Sequence, residues 1–226
     1  MAQMFPSRFP LPDEPGRWAE LQVYRAFQEL DDDWMVFYSV PWQSIRKGRQ
    51  GDGEADFVLV HGRFGIFVVE VKGGSRIELR DGGWFTWSQG TPKEIKNPFE
   101  QAKESKYALL NYLSDRMADL PKGITLGHFV VFPSHQQEGD LGPDGLRSIV
   151  CDKEDLRDIN STLSKITSHW NSSKPSSHLK PSHLKTIKQS LAPTVSLKRA
   201  LRYQIEDIGD ELNSLTDRQI EAMRIL

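Results

Sequence analysis

Apolar residues recur near the start of the chain at helical spacing. Ala19, Val23, Ala26, Phe27 and Leu30 fall on one face, which predicts a helix over residues 15–30. A short strand is expected at 35–40, then a polar, glycine-rich loop at 44–53. Two apolar runs, 55–60 and 66–71, flank His61-Gly62-Arg63-Phe64-Gly65, and the glycines on both sides mark a hairpin. Strands at 76–80 and 84–87 flank the tight-turn signal Asp81-Gly82-Gly83. Residues 97–117 read as a helix with Pro98 in its first turn and Phe99, Ala102, Leu109, Leu110, Leu113 and Met117 on one face. A strand at 125–132 is ended by Pro133, and a helix over 155–170 is carried by Leu156, Ile159, Leu163, Ile166 and Trp170. The order predicts an α/β or α+β sheet domain that ends near residue 170, followed by a Ser/Pro/Lys/His linker at 171–183.

With 226 residues, 38% of them hydrophobic, the chain can bury a core without a disulfide or metal staple. The single cysteine, Cys151, excludes a disulfide framework and a cysteine-rich zinc site. No apolar stretch approaches the roughly 20 residues that span a bilayer. Prolines stand where a signal peptide would be apolar, so a reducing, cytoplasmic location is expected. The net charge of −2 is unevenly spread: the 159–204 window holds eight basic residues and no acid, which leaves −10 for the remainder. The window reads either as a solvated linker or as a grip on a polyanion.

Period-2 alternation places Glu70 and Lys72 on one face of their strand. A symmetric hairpin centred on Arg63 pairs Val60 with Ile66, Val58 with Val68, and Asp56 with Glu70. Opposed residues have Cβ atoms about 5 Å apart, so two carboxylates and an ammonium converge. Like charges so placed repel, and a hard divalent cation such as Mg²⁺ compensates them with one or two carboxylates, waters and phosphate oxygens. The residues alone leave open a structural Asp–Lys–Glu ion-pair cluster. Alternation puts Trp84 opposite Phe85 and Trp87, so most of these rings are expected in the core rather than as platforms for unpaired bases.

Gly53-Glu54-Ala55-Asp56-Phe57-Val58-Leu59-Val60, the short loop, and Gly65-Ile66-Phe67-Val68-Val69-Glu70-Val71-Lys72-Gly73-Gly74 resemble the core of the NERD (nuclease-related) domain, a branch of the PD-(D/E)XK nuclease superfamily. The resemblance covers roughly residues 14–135. It implies a restriction-endonuclease-like mixed central sheet flanked by helices, with a helical C-terminal extension. It also implies phosphodiester hydrolysis dependent on Mg²⁺, with Mn²⁺ as a substitute. Asp56 and Glu70 would be metal ligands, the Val71 carbonyl a further ligand, and Lys72 the group that orients water or stabilises charge. Ala55 stands where the family name has proline. Glu20 resembles the helical glutamate that helps hold or orient a metal, against a plain reading as a solvated helix residue. Gln101 resembles the glutamine that contacts phosphate or water. Lys106 lies inside the apolar stripe of its helix, where snorkelling is the plain reading and a second cation over the phosphate the sharper one.

Leu215-Thr216-Asp217-Arg218-Gln219 has a capping-box spacing and resembles the segment that opens the motor of superfamily 1 helicases. No G-x-x-x-x-G-K-[ST] phosphate loop accompanies it. The expected division is a lead-in at 1–13, a nuclease domain at 14–170, a basic linker and helical connector at 171–214, with short helical patterns past residue 183, and the start of a helicase-like region at 215–226. The expected partners are DNA and a helicase motor in a longer chain, in DNA processing or defence against foreign DNA. The competing readings are an RNase, or an inactive module that binds nucleic acid or recruits a partner.

Overall fold

Residues 1–10, 17–46, 49–88, 90–171 and 177–195 are described by a computed structural model. Among them the order is β1 (Gln3–Phe5), α1 (Trp18–Gln28), β2 (Trp34–Arg46), β3 (Arg49–His61), β4 (Gly65–Val71), β5 (Arg76–Arg80), β6 (Gly83–Ser88), β7 (Thr91–Ile95), α2 (Pro98–Arg116), β8 (Leu126–Val131), β9 (Val150–Cys151), α3 (Ile159–Asn171) and α4 (Pro181–Leu191). Six strands form one mixed sheet in the order β1-β2-β3-β4-β8-β9. The β2/β3 and β3/β4 pairs are antiparallel, while β4/β8 and β8/β9 are parallel. This is the expected mixed α/β architecture.

All seven positions of β4 are buried. The cause is cover on both faces, which turns a strand into a continuous apolar run. On one face Phe57, Leu59, Phe67, Val69 and Phe129 pack with Val23 and Phe27 of α1 and Leu163 and Ile166 of α3. On the other Val58, Val60, Ile66 and Val68 pack with Leu109 and Leu113 of α2 and Ile187 of α4. The 3.6-residue periodicity of each helix and the period of two in the strands thus meet in a helix–sheet–helix sandwich. At the start of α2, Pro98 occupies a position that needs no N–H, and the Asn97 side chain accepts from the Phe99 and Glu100 N–H groups at 2.9 and 3.4 Å.

The small sheet β5-β6-β7 is a meander. Its first turn has positive φ at both Asp81 (51°) and Gly82 (79°), the two-residue geometry whose twist suits a hairpin. Strand β7 escapes sequence reading because Thr91-Pro92-Lys93-Glu94-Ile95 is polar and largely exposed, and its proline is tolerable at a sheet edge.

Two expectations are corrected. The 44–53 stretch is not a loop: β2 and β3 remain paired from Trp34↔His61 out to Arg46↔Arg49, a backbone ladder that needs no apolar alternation. The 171–183 linker and the domain end near 170 also give way, since the compact unit runs through Pro193. Leu179 donates its N–H to the Gly62 carbonyl at 2.8 Å, and Leu179 and Ile187 are buried in the α2 face of the core. Residues 172–176, the end of the basic window and the helicase-like 215–226 segment lie outside the described residues.

Because Ile187 is a core position rather than part of a linker, Ile187→Ala is expected to cost about 2–5 kcal/mol by chemical denaturation. A cost below about 0.5 kcal/mol, the usual surface value, would contradict the inclusion of α4 in the domain.

Candidate active site at the ends of the core strands

The β3/β4 register follows the symmetric hairpin: Val60↔Ile66, Val58↔Val68 and, last, Phe57↔Val69. The ladder ends one residue short of Asp56 and Glu70. At this point Asp56 Oδ2 accepts the Val71 N–H at 2.6 Å, so a side chain takes the place of the next ladder bond. The break has a partner on the other side of β3. Ser39 adopts φ 56°, and the β2/β3 register passes from Tyr38↔Phe57 to Val40↔Ala55 without a Ser39↔Asp56 pair. The Ser39 hydroxyl donates instead to Glu54.

Glu70 is only 4% exposed. Lys72 Nζ, on the same face, donates to Glu70 Oε1 at 2.5 Å. The Lys72 N–H donates to the Val131 carbonyl of β8 at 2.9 Å, so the main chain at Lys72 faces β8 and that at Val71 faces Asp56. A strand residue's N–H and C=O lie along the same edge, so the Val71 carbonyl faces the gap where the β3 ladder has ended.

Burial raises the Asp56 carboxyl well above the ordinary carboxylate range. Glu70 raises it further and Glu20 adds to this, whereas the Val71 N–H and Lys72 oppose. Glu70 is likewise raised, first by burial, with the adjacent Lys72 ammonium as the main counterweight. Two buried acids therefore share one ammonium.

Glu20 lies in the first turn of α1, close enough to act on both acids. Its own carboxylate accepts from the Tyr38 hydroxyl and from Arg17 at 3.3 Å. Arg17 also donates to Tyr38 at 2.6 Å. Burial, and next the Glu20 contact, push the Tyr38 phenol upward, so it stays a proton donor. Gly73 explains how α1 comes so near: a Cβ there would lie 2.6 Å from the Ala19 Cβ. Tyr38, Ser39 and Arg17 carry no sequence signal, because their roles arise only when β2 and α1 meet.

Gln101 is half-buried in the first turns of α2, and its side chain makes no hydrogen bond to Asp56, Glu70 or Lys72. Lys106 neither snorkels nor reaches the site. It is buried 3.0 Å from His128 Nδ1, with its ammonium 4.6 Å from the Trp170 ring centroid, and burial lowers its pKa to about 8. Trp84 is buried against Phe99 and Phe132, while Arg76 and Arg80 cover Trp87 and Phe85.

No three His, Cys, Asp or Glu side chains among the described residues converge closely enough to hold an ion by themselves. The available donors are two carboxylates and one carbonyl. These are hard oxygens, the class that a cation of the Mg²⁺ type takes together with several waters. The family model that matches this chain is the nuclease-related domain, over residues 15–133, more than half of its length. The chain belongs to the NERD family. No curated protein and no solved structure matches it. The matched span holds β4, Asp56, Glu70, Lys72, Glu20 and Gln101, so a nuclease-related function attaches to the domain that builds this strand end. No helix among the described residues is long and apolar enough to cross a membrane.

Two pH responses follow. The folded state binds the Asp56 and Glu70 protons more tightly than the unfolded chain does. Their contribution to stability is therefore complete below the unfolded carboxylate values of about 4 and is lost as pH rises through the elevated ones. Asp56→Asn, whose amide oxygen can still accept the Val71 N–H, should flatten that loss in urea titrations run in EDTA from about pH 4 to 8. Identical profiles for the two proteins would contradict the coupling. Lys106 has the opposite sign: the folded state sheds its proton first, so stability rises between about pH 8 and the unfolded value of about 10.4. Lys106→Met should remove this rise and raise the melting temperature at pH 7.

Proposed function

We propose that the chain is a Mg²⁺-dependent deoxyribonuclease of the PD-(D/E)XK type, with a restriction-endonuclease-like fold. The observation that carries this reading is the pair of buried acids, Asp56 and Glu70, gathered with Lys72 where the β3/β4 ladder gives way to the Val71 backbone. Two mutually repelling carboxylates raised by burial are stabilised by a cation. Asp56, Glu70 and the Val71 carbonyl would hold Mg²⁺ or Mn²⁺. The bound cation supplies Lewis-acid polarisation of a phosphoryl oxygen and a water of lowered pKa.

The rest of the work belongs to the chain. Lys72 is tethered to Glu70 and can swing to hold the attacking water or offset charge on the phosphoryl group. Glu20, clamped by Tyr38 and Arg17, keeps negative potential directed at Asp56 and Glu70 and so favours the cation. Gln101, at the start of α2, would contact phosphate or water, a role that rests on the family resemblance. The cytoplasm, a superfamily 1 helicase motor fused beyond Leu215, and a role in processing or defence against foreign DNA complete the reading. They rest on composition and on the Leu215–Gln219 resemblance.

A second reading has its own support. The Lys72–Glu70 pair at 2.5 Å already satisfies one acid, and no three acids among the described residues converge closely enough to hold an ion by themselves. An inactive module that binds nucleic acid fits those two facts, and an RNase would use the same groups.

The deciding experiment incubates the pure chain with single- and double-stranded DNA and RNA in Mg²⁺, Mn²⁺ or EDTA. Metal-dependent cleavage of DNA is expected. Lys72→Ala should slow it about 10²–10³-fold, the usual cost of removing one electrostatic stabiliser, with folding intact. Asp56→Ala and Glu70→Ala should abolish cleavage. Retention of cleavage in all three would end this reading, and absence of Mg²⁺ or Mn²⁺ binding by calorimetry would favour the inactive module.

A further inference from the structure

Strand β4 pairs with β3 only from Phe57 to His61, and β1 pairs with β2 only from Met35 to Phe37. The β2/β3 ladder runs on without them through six further pairs past Val40↔Ala55, from Pro41↔Glu54 to Arg46↔Arg49. Among the described residues this part of the ladder has no other strand on either edge. It is a two-stranded ribbon that leaves the sheet beside Asp56. Arg49 lies seven residues from Asp56, about 23 Å at the rise of a strand. Pro41, which has no N–H to give a third strand, suits such an edge.

An isolated two-stranded ribbon is marginal in water, so its root must be held. Trp42 holds it. The indole N–H donates to the Ser105 hydroxyl of α2 at 3.0 Å. The ring lies over Gly53, the residue that Trp42 pairs with, where a Cβ would come within 2.4 Å of it. The root of the ribbon is thus braced on α2, next to the candidate site.

The chemistry of the ribbon points to an anion. Beyond the root, Gln43-Ser44-Ile45-Arg46-Lys47-Gly48-Arg49-Gln50-Gly51-Asp52 holds three cations, one acid and one apolar side chain. A segment that docks on protein or inserts into a membrane carries aromatic or aliphatic anchors, and a single isoleucine does not supply them. The acids Asp52 and Glu54 stand near the root, whereas Arg46 and Arg49 stand at the far end as direct partners in the register. Like charges opposed across a strand pair are destabilising, and a phosphate shared between them offsets the repulsion. A two-stranded ribbon is also a shape that the major groove of duplex DNA, about 12 Å wide, admits.

We propose that this ribbon is a duplex-binding arm, which enters a groove of double-stranded DNA with Arg46 and Arg49 on backbone phosphates about seven base pairs from the acids, at about 3.4 Å for each pair. That the held stretch lies beside a cut rests on the nuclease reading; the binding of duplex does not.

The test follows binding of a duplex of about 20 base pairs, and of either of its strands alone, to the full chain in EDTA between about 50 and 200 mM salt. Duplex should bind more tightly than single strand. Arg46→Ala combined with Arg49→Ala should weaken duplex binding at least about tenfold at the low-salt end and lower the slope of log K against log salt by about 2, one phosphate contact for each arginine. The melting transition should be unchanged or raised, and Arg46→Lys with Arg49→Lys should keep the slope. A shortened chain, in which Asn-Gly replaces residues 44–51 as a tight turn between Gln43 and Asp52, retains the Trp42 brace and should lose the preference for duplex. In Mg²⁺ it should still cut bis(4-nitrophenyl) phosphate at the original rate, while its KM for duplex rises at least about tenfold. Affinity and slope unchanged in the alanine variant, equal losses on duplex and single strand, or a change confined to the oligomeric state in sedimentation overturns the arm. Loss of duplex binding in variants of a chain that cuts nothing in Mg²⁺ supports the arm and removes the nuclease reading. Cleavage with affinity and slope unchanged does the reverse.

Discussion

Asp56 and Glu70 meet at a place where water is scarce and one ammonium must serve both. Their repulsion is the constraint around which the neighbouring structure is arranged. Helices cover β4 on both faces, which removes the solvent that would otherwise screen the two charges. The ladder between β3 and β4 breaks there and hands the Val71 N–H to Asp56, the strongest internal compensation that acid receives. Gly73 gives up a side chain so that α1 can close over the strand end. Each of these features costs conformational freedom or solvation, a pattern that fits a site kept for function at the expense of stability.

The spacing Glu-x-Lys acquires a physical meaning from the mixed sheet. Strand β4 has an antiparallel neighbour on one edge and a parallel one on the other. At Lys72 the main chain bonds to β8, and the side chains of Glu70 and Lys72 lie together on one face. The residue between them turns its main chain to the other edge, where β3 has stopped pairing. A strand end thus presents two side chains and one backbone carbonyl to the same small volume. Neither a helix nor a strand paired on both edges to its tip would do so.

How much of this could be read in advance depends on the range of the interaction. Hairpin symmetry about Arg63 sufficed for the β3/β4 register, because glycines bracket the turn and a slip of one residue would turn Asp56 and Glu70 to the opposite face. The start of α2 was equally plain, since Asn97-Pro98 is a local capping signal. The Tyr38–Glu20–Arg17 cluster was hidden because its members stand up to 21 residues apart and meet only across two elements. The left-handed turn at Ser39 was hidden because serine offers no preference for positive φ. The inclusion of Leu179 and α4 in the domain was hidden because a Ser/Pro/Lys composition masks Leu179 and Ile187, whose burial depends on a groove that the sheet and α2 supply. Lys106 misled in the other direction, for a lysine amid an apolar stripe is seldom fully interior, and here His128 and Trp170 accommodate it.

Charge placement bears on how a polyanion could be held. The basic residues expected to grip DNA include Lys180, Lys185 and Lys188, on or beside α4. Leu179 ties that part of the chain to Gly62, at the turn end of the β3/β4 hairpin. Asp56 stands within β3, where its pairing with β4 ends, six residues from Gly62 and about 20 Å away by the rise of a strand. A charge held at the Gly62 end, as beside Leu179, lies beyond two Debye lengths from Asp56 at physiological salt, so it would steer or anchor a distant stretch of a strand without neutralising a phosphate at the acids. A cleft between the 132–141 segment and the small sheet is itself lined by the carboxylates of Glu78, Glu138 and Asp140. Positive charge near the acids comes from Lys72, engaged with Glu70, from Arg17 on Glu20 and, through space, from Lys96; on the proposed reading a cation would add to it. On this distribution a nuclease at this site would lose both its catalytic electrophile and its local hold on substrate when the metal is removed, whatever affinity the basic segment retains.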